Sequence, residues 1–168
     1  LQGEIWLESE INKGSVFYFT IPVVQETLEL KFESDINVEH QEFDFKGKVI
    51  LIAEDEESNY KYLKALINRC NGEVIWAKDG VVAMQIFKEN RTISLVLLDM
   101  EMPEKNGYEV VKEIRETNID IPVIAQTAYA MQGEKEKCLE AGCTDYISKP
   151  INRNILIEKI FYHLFEKK

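Results

Sequence analysis

The sequence predicts an α/β domain over residues 46–168, a doubly wound five-stranded parallel sheet of order 2-1-3-4-5, with a β-hairpin ahead of it. Two observations carry this. From Gly47 onward, short continuous apolar runs alternate with segments of helical periodicity, and such runs suit parallel strands buried on both faces. The 168 residues are enough for one good core and a small appendage. Strands alternating with helices imply a parallel sheet with right-handed crossovers, which leaves few topologies.

The elements follow in order. Ile5-Trp6-Leu7 and Val16 to Ile21 are strand-like and are joined by Asn12-Lys13-Gly14-Ser15, which has hairpin chemistry. A lone hairpin is marginal in water, so its aromatic residues must pack on something. Val49 to Ala53 is the first strand of the main domain. Leu63, Leu66, Ile67 and Cys70 recur at i, i+3, i+4 and i+7, a helix stripe, and Gly72 stands where a C-terminal cap would. Val74 to Ala77 is the second strand, and Asp79 caps a helix with Val82, Ala83, Ile86 and Phe87 on its inner face. Leu95 to Leu98 forms the third strand, Val110, Val111 and Ile114 the next inner face, and Pro122 to Ala125 the fourth strand. The helix at 131–141 is highly charged, with Met131, Cys138, Leu139 and Ala141 to bury, and should be the least firmly held. Tyr146-Ile147 centres the fifth strand. The last helix, 152–165, offers Leu156, Ile160, Phe161 and Leu164 to the core and leaves Ile155, Ile157, Tyr162 and Phe165 for a partner face or a wider burial.

Between hairpin and domain, residues 25–45 hold seven acids and one base, most of the chain's net charge of −10. They contain neither Gly nor Pro. Either a solvated tether or an extended segment docked by alternate side chains fits. Acidity argues against nucleic acid as a partner there. No apolar run reaches the roughly 18 residues of a membrane span, and no secretory signal is evident. The sequence begins without Met inside a strand-like stretch and reads as a fragment. Cys70, Cys138 and Cys143 are odd in number and unrelated in spacing. They favour free thiols in the cytoplasm over disulfides or zinc.

In open α/β sheets, ligands sit beyond the carboxyl ends of the strands. Those ends carry Glu54 and Asp55, then Asp99, Thr127 and Lys149. One polar residue leaving a strand means little, but four strands sending three carboxylates, a hydroxyl and an ammonium to one rim mean more. Crowded carboxylates repel unless one is protonated or a cation enters. A hard divalent ion with oxygen ligands fits, Mg2+ above all. Lys149 and Thr127 offer a point charge and a hydroxyl to phosphoryl oxygens. No GxxxxGK[ST] or GxGxxG is present, which speaks against a nucleotide site.

Five stretches, Ala53-Glu54-Asp55-Glu56, Leu97-Leu98-Asp99-Met100-Glu101-Met102-Pro103, Asn106-Gly107, Gln126-Thr127-Ala128 and Asp145-Tyr146-Ile147-Ser148-Lys149-Pro150, resemble the receiver domains of two-component signalling. The resemblance spans 46–168 and implies the flavodoxin-like receiver fold. It implies Asp99 as phosphoacceptor and Mg2+ held by Asp55 and Asp99 directly, by Glu54 through water and by the Glu101 backbone carbonyl. It implies Lys149 on the phosphoryl group, Thr127 closing on it, Tyr146 as switch aromatic, and a cis Lys149-Pro150 peptide. Tyr146 also reads as a plain half-buried core aromatic, and Tyr129 and Glu101 border the site.

Residues 3–22 resemble the terminal hairpin of a histidine-kinase ATP-binding domain. The parent then looks like a hybrid sensor histidine kinase, divided here into 1–24 (hairpin), 25–45 (acidic tether) and 46–168 (receiver). The donor or acceptor would be a phosphohistidine-bearing kinase domain or a histidine-phosphotransfer protein, without nucleic acid or direct membrane contact. The fragment itself carries no kinase site. Trp6, Phe17 and Phe19 leave the hairpin open to pairing with a second copy through residues 1–24. His40 and His163 read as incidental. The rival readings are an interaction module that is never phosphorylated and a doubly wound hydrolase with an Asp nucleophile, which lacks an evident general acid.

Overall fold

The computed structural model describes residues 3–10, 13–20, 43–128 and 132–166. The chain divides into two compact units, Leu1–His40 and Gln41–Lys168.

In the first unit, β1 (Ile5–Glu10) and β2 (Gly14–Phe19) form an antiparallel pair. Gly14 enters β2 at φ 103°, a left-handed conformation that suits glycine. Ile5 lies opposite Phe19 and Leu7 opposite Phe17, so strand alternation puts these four on one face. All four are exposed. On the other face Trp6 stacks on Tyr18 with centroids 5.4 Å apart, and the Tyr18 hydroxyl donates to Glu8.

The second unit runs β3 (Val49–Ala53), α1 (Glu57–Arg69), β4 (Glu73–Ala77), α2 (Gly80–Glu89), β5 (Ile93–Asp99) and α3 (Gly107–Thr117). It continues with β6 (Val123–Thr127), α4 (Gln132–Glu140), β7 (Asp145–Ser148) and α5 (Arg153–Phe161), then a π-helical turn, Tyr162–Glu166. The sheet is parallel throughout, in the order β4-β3-β5-β6-β7. Counted within this unit that is 2-1-3-4-5, as the sequence predicts.

Strand alternation splits the core into two layers. Leu51, Ala53, Val96, Leu98, Val123 and Ala125 pack with Ala83, Val110, Ile114 and Cys138 of α2, α3 and α4. Ile50, Ile52, Leu95, Leu97, Ile124 and Ile147 pack with Leu63, Ile67, Leu156 and Ile160 of α1 and α5. Three helix starts are set by side chains: Asp79 accepts from the Val82 N–H at 2.7 Å, Asn106 and Glu109 form a capping box, and Asn152 caps α5.

Several expectations change. The left-handed residue after α1 is Asn71 (φ 58°), not Gly72. The Asn71 and Gly72 N–H groups close back on Asn68 and Ile67, the Schellman pattern. Gly72 is needed for space instead, because a Cβ there would lie 2.6 Å from Ile67 Cγ2. Ile157 is buried rather than available to a partner, and Leu139 is exposed rather than buried. The packed domain also begins before Lys46. Phe45 is fully buried, its N–H donates to the Cys70 carbonyl, and Phe43 meets Phe161 edge-on at 5.1 Å. The rest of the acidic segment and Met131 lie outside the described residues.

Candidate functional site

The register of the sheet brings the strand ends level. Asp99 closes β5 opposite Gln126, and Thr127 closes β6 opposite Ser148. Glu54 and Lys149 follow β3 and β7 by one residue. Backbone bonds extend each ladder past its end: Glu54 N–H to the Ala77 carbonyl, Met100 N–H to Gln126, and Lys149 N–H to Thr127. The Lys149-Pro150 peptide is cis.

Glu54 is fully buried, Asp99 is 4% exposed, and Asp55 lies open to solvent. Carboxylate oxygens of all three fall within 4.8 Å of one another. The Lys149 ammonium lies between two of these acids, 2.5 Å from Asp99 Oδ2 and 3.0 Å from Glu54 Oε2. The second oxygen of Asp99 accepts from the Glu101 N–H at 3.0 Å. Burial pushes the Glu54 carboxyl above its usual range, against the pull of hydrogen bonds from Asn59 and Lys149. For Lys149, burial acts to lower the pKa, and the bonds to Asp99 and Glu54 outweigh it, so the ammonium is held charged. An all-oxygen set of three carboxylates beside a lysine fits a hard divalent cation.

The loop that carries Asp99 into α3 is held closely. A Cβ on Gly107 would lie 2.5 Å from the Asp99 carbonyl oxygen, so glycine lets α3 start against the strand end. Glu104 takes a left-handed φ of 64°. Lys105 and Lys88 both pair with Glu113 of α3; the Lys105 hydrogen bond first, then that of Lys88, holds the Glu113 carboxyl below its usual range.

Of the residues singled out in the sequence, Glu54, Asp55, Asp99 and Lys149 come together. Thr127 ends β6 at 2% exposure. The side chain of Glu101 is exposed, and its backbone rather than its carboxylate touches Asp99. Tyr146 is half-buried on the α2–α4 side of the sheet, its ring flanked by Lys135 at 5.5 Å and Lys159 at 5.6 Å. Tyr129 lies outside the described residues.

Four features escaped the sequence reading. Asn59 Nδ2 donates to Glu54 Oε1 at 2.9 Å. Trp76 Nε1 donates to the Glu54 carbonyl at 2.8 Å while its ring stacks on Tyr60 at 4.3 Å. The Gln126 amide is buried without a hydrogen-bond partner among the described residues. His163, read as incidental, is a buried partner of Asp145 at 3.1 Å. Each depends on where a neighbouring element lies, and spacing along the chain does not show that.

The profile of the response regulator receiver domain matches residues 50–161. The chain belongs to this family. The receiver and its preceding segment align over 163 residues, at 34% identity, with the autoinducer 2 sensor kinase/phosphatase LuxQ of Vibrio vulnificus. That match takes in 96% of this chain and 19% of the kinase, so the chain spans about a fifth of that relative's length. Among solved structures, the receiver resembles that of the Pseudomonas aeruginosa sensor histidine kinase PA1611, which has a magnesium ion coordinated in its active-site cleft. The TM-score is 0.65 at 32% identity over 72% of this chain and 99% of the other. It also resembles the Saccharomyces cerevisiae Ssk1 receiver, solved with the histidine phosphotransfer protein Ypd1. There the TM-score is 0.67 at 30% identity over 71% of this chain and 90% of that one. This is a receiver domain of two-component signalling, homologous to the receivers of hybrid sensor kinases. Among the described residues no helix is long and apolar enough to cross a membrane.

Proposed function

We propose that Asp99 accepts a phosphoryl group from a phosphohistidine, in a site that holds Mg2+, and that the resulting acyl phosphate switches the α4 face of the domain. The observation that carries this reading is Lys149, shared at the buried strand ends between Glu54 and Asp99 beside the open carboxylate of Asp55. In the transfer, an Asp99 carboxylate oxygen forms the new O–P bond as the N–P bond breaks, and the imidazole nitrogen leaves with the electron pair. For that to happen Lys149 must release Asp99 Oδ2 and move onto a phosphoryl oxygen, where its charge offsets the negative charge spread over the group.

Asp55 and Asp99 would hold Mg2+ directly, Glu54 through water and Glu101 through its backbone carbonyl. Bound there, Mg2+ would neutralise charge on the phosphoryl oxygens. Thr127, at the end of β6, then closes on the phosphoryl group and draws Tyr146 inward from between Lys135 and Lys159. That movement repositions α4, the helix with the thinnest apolar anchorage.

A phosphohistidine-bearing partner can approach over a cavity of about 270 Å3 beside Lys149, lined by Asn59, Tyr62, Pro150 and Ile151. The LuxQ alignment, which extends through both segments of this chain, supports a hybrid histidine kinase as parent. In that parent residues 1–24 close the ATP-binding domain and the acidic segment after them leads to the receiver, which is packed from Phe43 onward. The three free cysteines fit a cytoplasmic location.

The test is intact mass after incubation with a small phosphodonor and Mg2+, on wild type and Asp99→Asn side by side. One phosphoryl adduct that needs Mg2+ and is absent from the variant is the expected result. An equal adduct on the variant would remove Asp99 from its role. No adduct on wild type, even from a phosphohistidine donor, would leave a receiver-fold interaction module.

A further inference from the structure

Glu54 is a carboxylate with no exposure to water, so its charge and orientation depend on the donors around it. Two side chains supply them. Lys149 lies 3.0 Å from Oε2 and 3.4 Å from Oε1, and Asn59 donates to Oε1 at 2.9 Å. They are not equivalent, because Lys149 is also 2.5 Å from Asp99 and is shared between the two acids, whereas Asn59 serves Glu54. Asn59 makes no other side-chain hydrogen bond among the described residues. It lies in the first turn of α1 and forms part of the cavity wall beside Lys149. Asparagine is a weak helix former. The N-cap, Glu56, makes no side-chain capping bond, so Asn59 serves the acidic site rather than the helix end.

We propose that Asn59 is a positioning residue for the acidic site. It holds the plane of the Glu54 carboxylate independently of Lys149, so that Glu54 keeps its place beside Asp55 and Asp99 when Lys149 turns to a phosphoryl oxygen. Asn59 makes no hydrogen bond to Asp99, whose side-chain partners are the Glu101 N–H and Lys149, so its effect falls on cation binding and not on the reacting oxygen. The inference rests on the reading of these carboxylates as a divalent-cation site, and its readout is kept separate from phosphoryl uptake.

The experiment uses the full 168-residue chain with Asn59→Leu, which keeps the branched shape and removes the donor, and Asn59→Ala as a second variant in case the first disturbs α1. Mn2+ binding, followed by loss of the free-ion paramagnetic signal, reports cation affinity directly. The Mg2+ concentration for half-maximal phosphorylation by a small phosphodonor, which does not need the cavity wall that Asn59 lines, and the maximal rate at saturating Mg2+ are measured alongside. Removing an outer-shell partner costs about tenfold or more in affinity. Both variants should bind Mn2+ that much more weakly and raise the Mg2+ half-saturation point by the same factor. The maximal rate should stay within about threefold, as expected for a lost binding contribution that leaves the chemical step intact. Wild-type affinity for Mn2+ in both variants overturns the inference, as does a lower maximal rate with unchanged affinity. A wild type that binds Mn2+ but takes up no phosphoryl group sinks the phosphoacceptor reading alone, and the affinity ratio still decides the role of Asn59. A wild type that binds no Mn2+ overturns both.

Discussion

Asp145, the first residue of β7, illustrates what one side chain does in this fold. Its carboxylate takes both oxygens to Lys159, at 2.7 and 2.8 Å, with His163 at 3.1 Å and the Tyr146 N–H at 2.7 Å. Burial acts to raise its pKa, but Lys159, His163 and the Tyr146 N–H outweigh that and hold the carboxyl below its ordinary value of 3.8. The folded chain therefore gives up this proton more readily than the unfolded one. The stability it contributes is fully present above the ordinary carboxylate value and is lost as pH falls through the lower folded value. Asp145→Asn should cost roughly 1–3 kcal/mol at pH 7 and much less in strong acid, as measured by urea unfolding at both ends of the range. An equal loss at both would show that the charge contributes nothing. The group ties β7 to the end of α5 and holds Lys159 over the Tyr146 ring, so its loss should also loosen that ring.

At the scale of elements, α4 differs from its neighbours. Among its described side chains only Cys138 is buried, whereas α3 buries Val110, Val111 and Ile114. Polar contacts make up part of the difference. The Tyr108 hydroxyl of α3 donates to Glu134 at 2.9 Å and lies 4.0 Å from Cys138 Sγ. Burial, and then the bond to Glu134, pushes the Tyr108 phenol well above its usual value, so it stays protonated as donor at neutral pH. An element held this way opens locally at low cost. Amide exchange in α4 should be the fastest of the five helices. Tyr108→Phe should speed it further by about fivefold, the equivalent of one hydrogen bond of about 1 kcal/mol, with α3 unchanged. Exchange in α4 as slow as in α3 would contradict this account and would weaken the case for α4 as the moving part.

At the scale of the whole molecule, two compact units make unlike demands on their surroundings. The receiver encloses its core on both faces of the sheet, while the hairpin leaves Ile5, Leu7, Phe17 and Phe19 between 55% and 76% exposed. An apolar face of that kind favours association. In sedimentation, the full chain should self-associate reversibly as its concentration rises, and residues 43–168 alone should stay monomeric. A monomeric full chain at high concentration would rule out the hairpin face as a contact. The shortened chain should melt within about 2 °C of the full one, and a further cut that removes Phe43 to Phe45 should lower the midpoint by 10 °C or more, since losing a buried Phe costs about 3–5 kcal/mol.

The sequence by itself was sufficient for strand order and for which side chains end up near one another at the strand ends. Apolar runs such as Val49 to Ala53 and Leu95 to Leu98 mark strands buried on both sides, and the handedness of crossovers leaves little choice of neighbours. Once the strands are parallel, Glu54, Asp55, Asp99 and Lys149 must emerge at the same edge. Tertiary structure alone decided the partners of those groups. The stripe on α1 shows that Leu63 and Ile67 face the sheet, but not that Asn59 reaches Glu54. The 3.6-residue period of α5 does not show that a π-helical turn carries His163 back to Asp145. Buried apolar surface is additive and without direction, so its pattern survives in one dimension. A hydrogen bond requires two groups within about 3 Å at the right angle, and only the packed chain sets that separation.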